Sequence, residues 1–210
     1  MKIEKFVLGS VGTNCYIVFN EEMKECFIVD LATYSQEMVG RIKKSGCEVK
    51  GILLTHGHFD HIMGIEEFMD EIPTTVYAHE EEEEFLKDPV LNFSATMGGG
   101  EVRVNEVVFL KEHQTFQLAG YEIRILHTPG HTPGGCCYYL PKEKVVFTGD
   151  TLFSGSIGRT DFPRGDQTLL LGSINEKLLT LPEETEVHPG HVGSTTIGKE
   201  KMFNPFLKES

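Results

Sequence analysis

The sequence predicts an α+β protein in which two β-sheets pack face to face with helices on the outside. Two observations predict it. Strands followed by helices occur twice along the chain, as expected for sheets that each carry helices on one face. Between the two runs, residues 88–100 are weakly patterned, with Pro89, Asn92 and Ser94 leading into Gly98-Gly99-Gly100. The 210 residues are therefore read as a single domain, 1–210, of two similar halves, about 1–100 and 101–210, and that length suffices for a full core.

Ile3 to Leu8 reads as a first strand, Asn14 to Phe19 as a second and Cys26 to Val29 as a third. Their short connections imply an antiparallel meander. Ser35 is a candidate N-cap for a helix through Met38, Val39 and Ile42, closed by Gly46. Gly51-Ile52-Leu53-Leu54 is a short buried strand, Ile62 to Phe68 a helix and Thr75 to Ala78 another strand. The run Glu80 to Glu84 opens a helix through Phe85 and Leu86 and is expected to form a solvated acidic face. Residues 88–100 are expected to be a long mobile connection. Further strands are expected near Val107–Leu110, Thr115–Leu118, Glu122–Leu126, Cys136–Leu140 and Val145–Thr148. Asp166 caps a helix from about Gln167 to Leu179, a short strand follows at Glu186–Val187, and Ile197–Met202 forms a last helical turn.

Composition excludes several classes. Hydrophobic residues at 40% and charged residues at 24% are ordinary for a globular protein. A net charge of −13 argues against nucleic acid as a partner, since phosphate binding needs an excess of Lys and Arg. The 5 cysteines show no paired spacing, which suggests a reducing compartment. No long apolar stretch marks a signal peptide or membrane anchor, so a cytoplasmic location without membrane partners is expected. Oligomeric state has no visible signal.

The chemistry is concentrated in Thr55-His56-Gly57-His58-Phe59-Asp60-His61, between a strand and a helix. Neutral imidazoles and carboxylates are metal ligands, and four of them in six residues exceed what one four-coordinate ion takes from a loop. Two ions are inferred, His56 and His58 serving one, Asp60 and His61 the other. Three later strands end in the same way, at His127-Thr128-Pro129-Gly130-His131, Thr148-Gly149-Asp150 and His188-Pro189-Gly190-His191. The candidate set is thus His56, His58, Asp60, His61, His131, Asp150 and His191. Asp150 is the best bridge, since its two oxygens can span ions about 3.5–4 Å apart. His127 and His188 are read as structural neighbours, and His79 and His113 as core or surface residues. Asp30, ending a strand beside the loop, is either a turn residue or a group that orients a ligand.

The run THGHFDH with His131, Asp150 and His191 resembles the metallo-β-lactamase superfamily, and the stretch from Gly149 to Asp166 resembles its short bacterial glyoxalase II-like hydrolases. The resemblance implies an αββα sandwich. It places His56, His58 and His131 on one metal ion and Asp60, His61 and His191 on the other, with Asp150 bridging and Asp60 and Asp150 taking part in catalysis. The implied cofactors are two divalent ions, zinc first, with iron or manganese as alternatives. The implied reaction is hydrolysis of an acyl-thiol such as S-lactoylglutathione to D-lactate and free thiol by a metal-bridging hydroxide. Arg159 stands where those enzymes place a basic residue for the carboxylate of the thiol, the alternative being a structural arginine paired with Asp161. Full-length glyoxalase II enzymes add a C-terminal helical region that helps grip glutathione, whereas this sequence ends at Ser210. Metallo-β-lactamases proper carry a cysteine at the position of Asp150, which disfavours antibiotic hydrolysis. The nearest alternative is a persulfide dioxygenase with a single iron, a group that shares the Gly-Arg-Thr-Asp-Phe stretch.

Overall fold

The computed structural model describes residues 1–207. The first sheet holds β1 (Lys2–Leu8), β2 (Thr13–Asn20), β3 (Glu25–Val29), β4 (Glu48–Leu53), β5 (Val76–His79) and β6 (Val107–Leu110), in that spatial order. β1 to β3 form the expected antiparallel meander, and β3 to β6 run parallel to one another. Parallel neighbours need crossovers. Among these are α1 (Gln36–Ser45), then after the ligand loop α2 (Phe59–Ile62) and α3 (Ile65–Glu71), and after β5 the short α4 (Glu83–Lys87). Ser35 caps α1 by accepting from the Met38 amide, and Gly46 closes it in the left-handed conformation.

The second sheet is built from β7 (Thr115–Leu118), β8 (Tyr121–His127), β9 (Cys136–Leu140), β10 (Val145–Gly149), β13 (Glu186–Pro189) and β14 (Thr195–Thr196). The small hairpin of β11 (Leu152–Phe153) and β12 (Ser156–Ile157) leaves the end of β10. α5 (Gln167–Ser173) and α6 (Ile197–Phe203) cover the outer face. The halves interlock, because β6 comes from the second half of the sequence yet extends the first sheet.

Alternation along the strands builds three apolar layers. On β2, Tyr16 and Val18 face the layer between the sheets, while Cys15, Ile17 and Phe19 face the helices of the first sheet. On β9 the adjacent cysteines part in the same way, Cys136 inward and Cys137 toward α5 and α6. All five cysteines are free thiols. Among the described residues no helix is long and apolar enough to cross a membrane.

Three expectations are corrected. The helix expected to run to Leu179 is α-helical only to Ser173 and continues as a π-turn over Ile174–Leu178. Residues 88–100 are tightly hydrogen-bonded turns: Asn92 donates to the carbonyls of Phe85 and Val102, and its own carbonyl receives the Phe59 amide. Asn and Ser side chains here replace the partners a regular element would supply. Finally, the acidic run is not uniformly solvated, since Glu82 within it is fully buried.

Candidate metal centre

The ends of β4, β8, β10 and β13 bring all seven candidate ligands to one edge of the sandwich. His56 and His58 lie on the loop after β4, and Asp60 and His61 in the short helix α2. His131 follows β8, Asp150 follows β10 and His191 follows β13.

Two groups emerge, linked by a third made of His56, His61 and Asp150. His56, His58 and His131 offer ligand atoms within one small volume, and Asp60, His61 and His191 form a second such group. In the first, His131 Nε2 lies 2.9 Å from His58 Nδ1 and 3.2 Å from His56 Nε2. A tetrahedral ion with bonds of 2.0–2.1 Å would hold its nitrogens about 3.3 Å apart, so the trio has the right spread. Asp150 lies between the groups. Its Oδ2 is 3.7 Å from His131 Nε2 and 3.4 Å from His191 Nε2, and its Oδ1 is 3.4 Å from His61 Nε2. Apart from their 3.4 Å approach to each other, Asp150 Oδ1 and His61 Nε2 are buried polar atoms without a hydrogen-bond partner among the described residues. Such orphans are costly unless something else satisfies them, and a cation would do so. The residues therefore fit two divalent ions.

The opposite side of each ring is held as well. His61 Nδ1 is 2.8 Å from Asp30 Oδ2, and Asp30 also accepts from the Thr55 amide and hydroxyl. His131 Nδ1 donates to the carbonyl of Arg159 at 2.7 Å. These contacts leave Nε2 of both rings as the free lone pair, which is how partners behind a histidine fix its ligating nitrogen. The Thr13 hydroxyl donates to Asp60 at 2.8 Å. Asp30 thus combines both readings: it occupies a left-handed turn, φ 56°, and it orients a ligand. The glycines matter where the loops converge. At Gly190 a Cβ would collide with Asp150 Oδ1 and His61 Cε1, so only glycine lets the chain carrying His191 pass the Asp150 carboxylate.

The two groups differ in charge. Burial pushes His58 down to about 3 and lowers His56 and His131 too, so the first trio is neutral and ready to ligate. In the second group burial opposes charge but carboxylates win. Asp150 and Asp60 raise His191 to about 9, and Asp30, Asp60 and Asp150 raise His61 well above its usual value. Burial works against the charge of Asp60 as well, yet the His61 charge holds it down at about 2. A raised histidine stabilises the folded state fully below its unfolded pKa of about 6.5 and loses that contribution as pH rises through its folded value. Metal-free protein should therefore melt at progressively lower temperature between about pH 6.5 and 9. Metal-loaded protein should do the opposite or stay level, since ions compete with protons for the same nitrogens. Melting curves with and without a chelator check this, and a metal-free melting temperature independent of pH over that window would refute it.

The sequence-derived ligand set is brought together whole. His127 and His188 stay outside both groups, as expected: His127 stacks on His79 at 3.9 Å, and His188 packs edge-on against Tyr16. Sequence reasoning missed the residues that hold the loops. Asn14 binds the carbonyls of Pro189 and Val192, and Tyr16 donates to that of Pro189, fastening the His191 loop to β2. Glu82 accepts from the Gly57 and Gly134 amides and the Thr132 hydroxyl, joining the His56–His58 loop to the His131 loop. Burial raises its carboxyl to about 7 despite those bonds. Its acidic neighbours gave no signal that one of them points inward.

In front of the ligands lies a cavity of about 420 Å³ lined by His58, Asp60, His131, Asp150 and His191 and by a largely apolar wall that includes Phe93, Met97, Phe153 and Phe162. Arg159 also lines it.

Two packed mixed sheets with a paired His/Asp centre at the strand ends define a metal-binding αββα protein. The metallo-β-lactamase superfamily model matches residues 8–191, and the chain belongs to that superfamily. It is 38% identical over 208 residues to the probable metallo-hydrolase YqgX of Bacillus subtilis, covering 99% of this chain and 98% of the relative. It is 36% identical over 209 residues to the hydroxyacylglutathione hydrolase GloC of Haemophilus influenzae, with coverage of 99% and 98%. Among solved structures, BLEG-1, a B3 metallo-β-lactamase, is similar at 40% identity and TM-score 0.92, covering 99% of this chain and all 100% of that one. The di-iron-bound form of TTHA1623 is similar at 34% identity and TM-score 0.85, with coverage of 97% and 100%.

Proposed function

We propose that this protein is a binuclear metallo-hydrolase that cleaves small thioesters, in the manner of glyoxalase II. The observation that carries the reading is the inventory of the cavity. Its titratable lining residues are the ligands His58, Asp60, His131, Asp150 and His191, together with Arg159. An arginine stays protonated and is no proton donor at neutral pH, so among the described residues no separate general acid lines the cavity. A thiol has a pKa of about 8.5 and leaves readily as thiolate, whereas an alkoxide or amide nitrogen needs a proton. Bound divalent ions, zinc first on its affinity for His and carboxylate, would supply a carbonyl-polarising charge and a water acidified to a pKa of about 7.

The chain's own residues do the rest. Asp150 and the two histidine groups would hold the ions. Asp30, Thr13 and the Arg159 carbonyl keep His61, Asp60 and His131 aimed. Phe93, Phe153 and Phe162 exclude water from the side of the cavity that would receive the acyl or thiol group. The relationship to GloC supports hydroxyacyl-thiols as the first substrates to test.

Similarity to BLEG-1 supports a second reading, opening of a β-lactam ring by the same attack on a carbonyl. A panel separates these readings: S-lactoylglutathione, a neutral aryl thioester, a chromogenic cephalosporin, and glutathione persulfide with an oxygen electrode. Metal-loaded protein is expected to release thiol from at least one thioester at a specificity constant ten times or more that for the cephalosporin. Cephalosporin hydrolysis as the dominant activity, or oxygen uptake with persulfide, would overturn the thioesterase reading.

A further inference from the structure

Arg159 is the cavity's charged side chain that is not a ligand, but its guanidinium is already engaged. Nε and Nη2 donate to the two carboxylate oxygens of Asp161 at 2.7 and 2.8 Å. The guanidinium carbon also sits 3.6 Å from the centre of the Phe162 ring. A guanidinium recognises a carboxylate through this two-pronged edge. The edge that would receive a substrate carboxylate is therefore held by Asp161, and one face is covered by an aromatic ring. The main chain of Arg159 is anchored independently, through its carbonyl on His131, so changes at Asp161 can redirect the guanidinium without moving the ligand. The Lys5 ammonium is 3.5 Å from the carbonyl of Val192, which also lines the cavity.

We infer that Asp161 is a specificity-determining residue: by occupying the Arg159 fork it biases the cavity toward thioesters whose thiol part is neutral and apolar, and against thiols that end in a carboxylate. The inference rests on the thioester reading. The wall beside Arg159 fits that bias, since Phe93, Met97 and Phe162 offer apolar surface to the same space. Both members of the pair are more than half exposed, and ion pairs of that kind are weak. A substrate carboxylate can therefore displace Asp161, but it must compete to do so.

The test uses Asp161→Asn, which keeps the side-chain shape and removes the charge. Binding of S-methylglutathione, followed by calorimetry, reads the carboxylate site without turnover. The variant is expected to bind it up to about fivefold more tightly than wild type, the upper end of what is released when an exposed pair is undone. The ratio of specificity constants for S-lactoylglutathione over a neutral aryl thioester should rise by a similar factor. Metal content and melting temperature should not change. In the double variant Arg159→Ala with Asp161→Asn the gain should vanish. Unchanged binding in Asp161→Asn would overturn the inference. So would a gain that survives loss of Arg159, because it would then reflect the general negative charge of the chain or Lys5. If metal-loaded wild type cleaves neither thioester, the proposed reaction fails, while the calorimetric comparison still decides whether Asp161 controls access to Arg159.

Discussion

Asp150→Ala is expected to hold about one divalent ion per chain or fewer and to lose roughly 10³-fold or more in turnover. The size follows from the polarising charge at stake, several kcal/mol in the transition state, at about 1.4 kcal/mol per factor of ten. The cause is local. Asp150 approaches His131 of the first group and both His61 and His191 of the second, so its loss leaves neither group complete. Without that carboxylate, His61 and His191 also lose a neighbour that keeps them charged in the metal-free protein. Metal analysis of purified variant, followed by activity after metal addition, checks both parts. Two tightly held ions in Asp150→Ala would show that this side chain does not bridge.

The second large effect is expected away from the ligands. Glu82→Ala orphans the Gly57 and Gly134 amides and the Thr132 hydroxyl in a buried space. Each buried group left without a partner costs about 1–3 kcal/mol, and a protein of this length loses about 2–4 °C per kcal/mol. A drop of about 10 °C in melting temperature is expected on those figures. Metal affinity of the His56–His58–His131 group should fall by about 10–100-fold, as for other contacts that orient ligands. Glu82→Gln keeps one acceptor and should recover part of both losses. Wild-type affinity at that group in a destabilised Glu82→Ala protein would show that Glu82 serves folding alone.

The sequence made the centre legible because metal ligation demands particular side chains at particular spacings. His56, His58, Asp60 and His61 fall within six consecutive residues, and the strand–turn–ligand pattern recurs at His131, Asp150 and His191. The meander and α1 were equally plain, since Ser35 and Gly46 carry capping chemistry in their identities. What stayed hidden depends on contacts across long sequence separations. Glu82 reads as one of five consecutive glutamates, and only the convergence of two distant loops gives its carboxylate three donors. Phe93 and Met97 read as part of an unpatterned connection, because turns held by Asn92 and Ser94 have no periodicity. The exchange of β6 into the first sheet is also a matter of pairing, which residue pattern does not specify. The π-turn over Ile174–Leu178 preserves the apolar pattern of a helix while changing its hydrogen bonds, so periodicity could not separate the two.

Two ions held by His56, His58, Asp60, His61, His131, Asp150 and His191 are expected to act together in hydrolysis. Titrating metal-free protein with zinc, while following both bound metal and cleavage of a thioester, tests it most directly. Thioester cleavage is expected to stay low through the first equivalent, rise steeply through the second and level off at two ions per chain. Full activity at one ion per chain, or activity that requires ferrous iron and consumes oxygen, would contradict it.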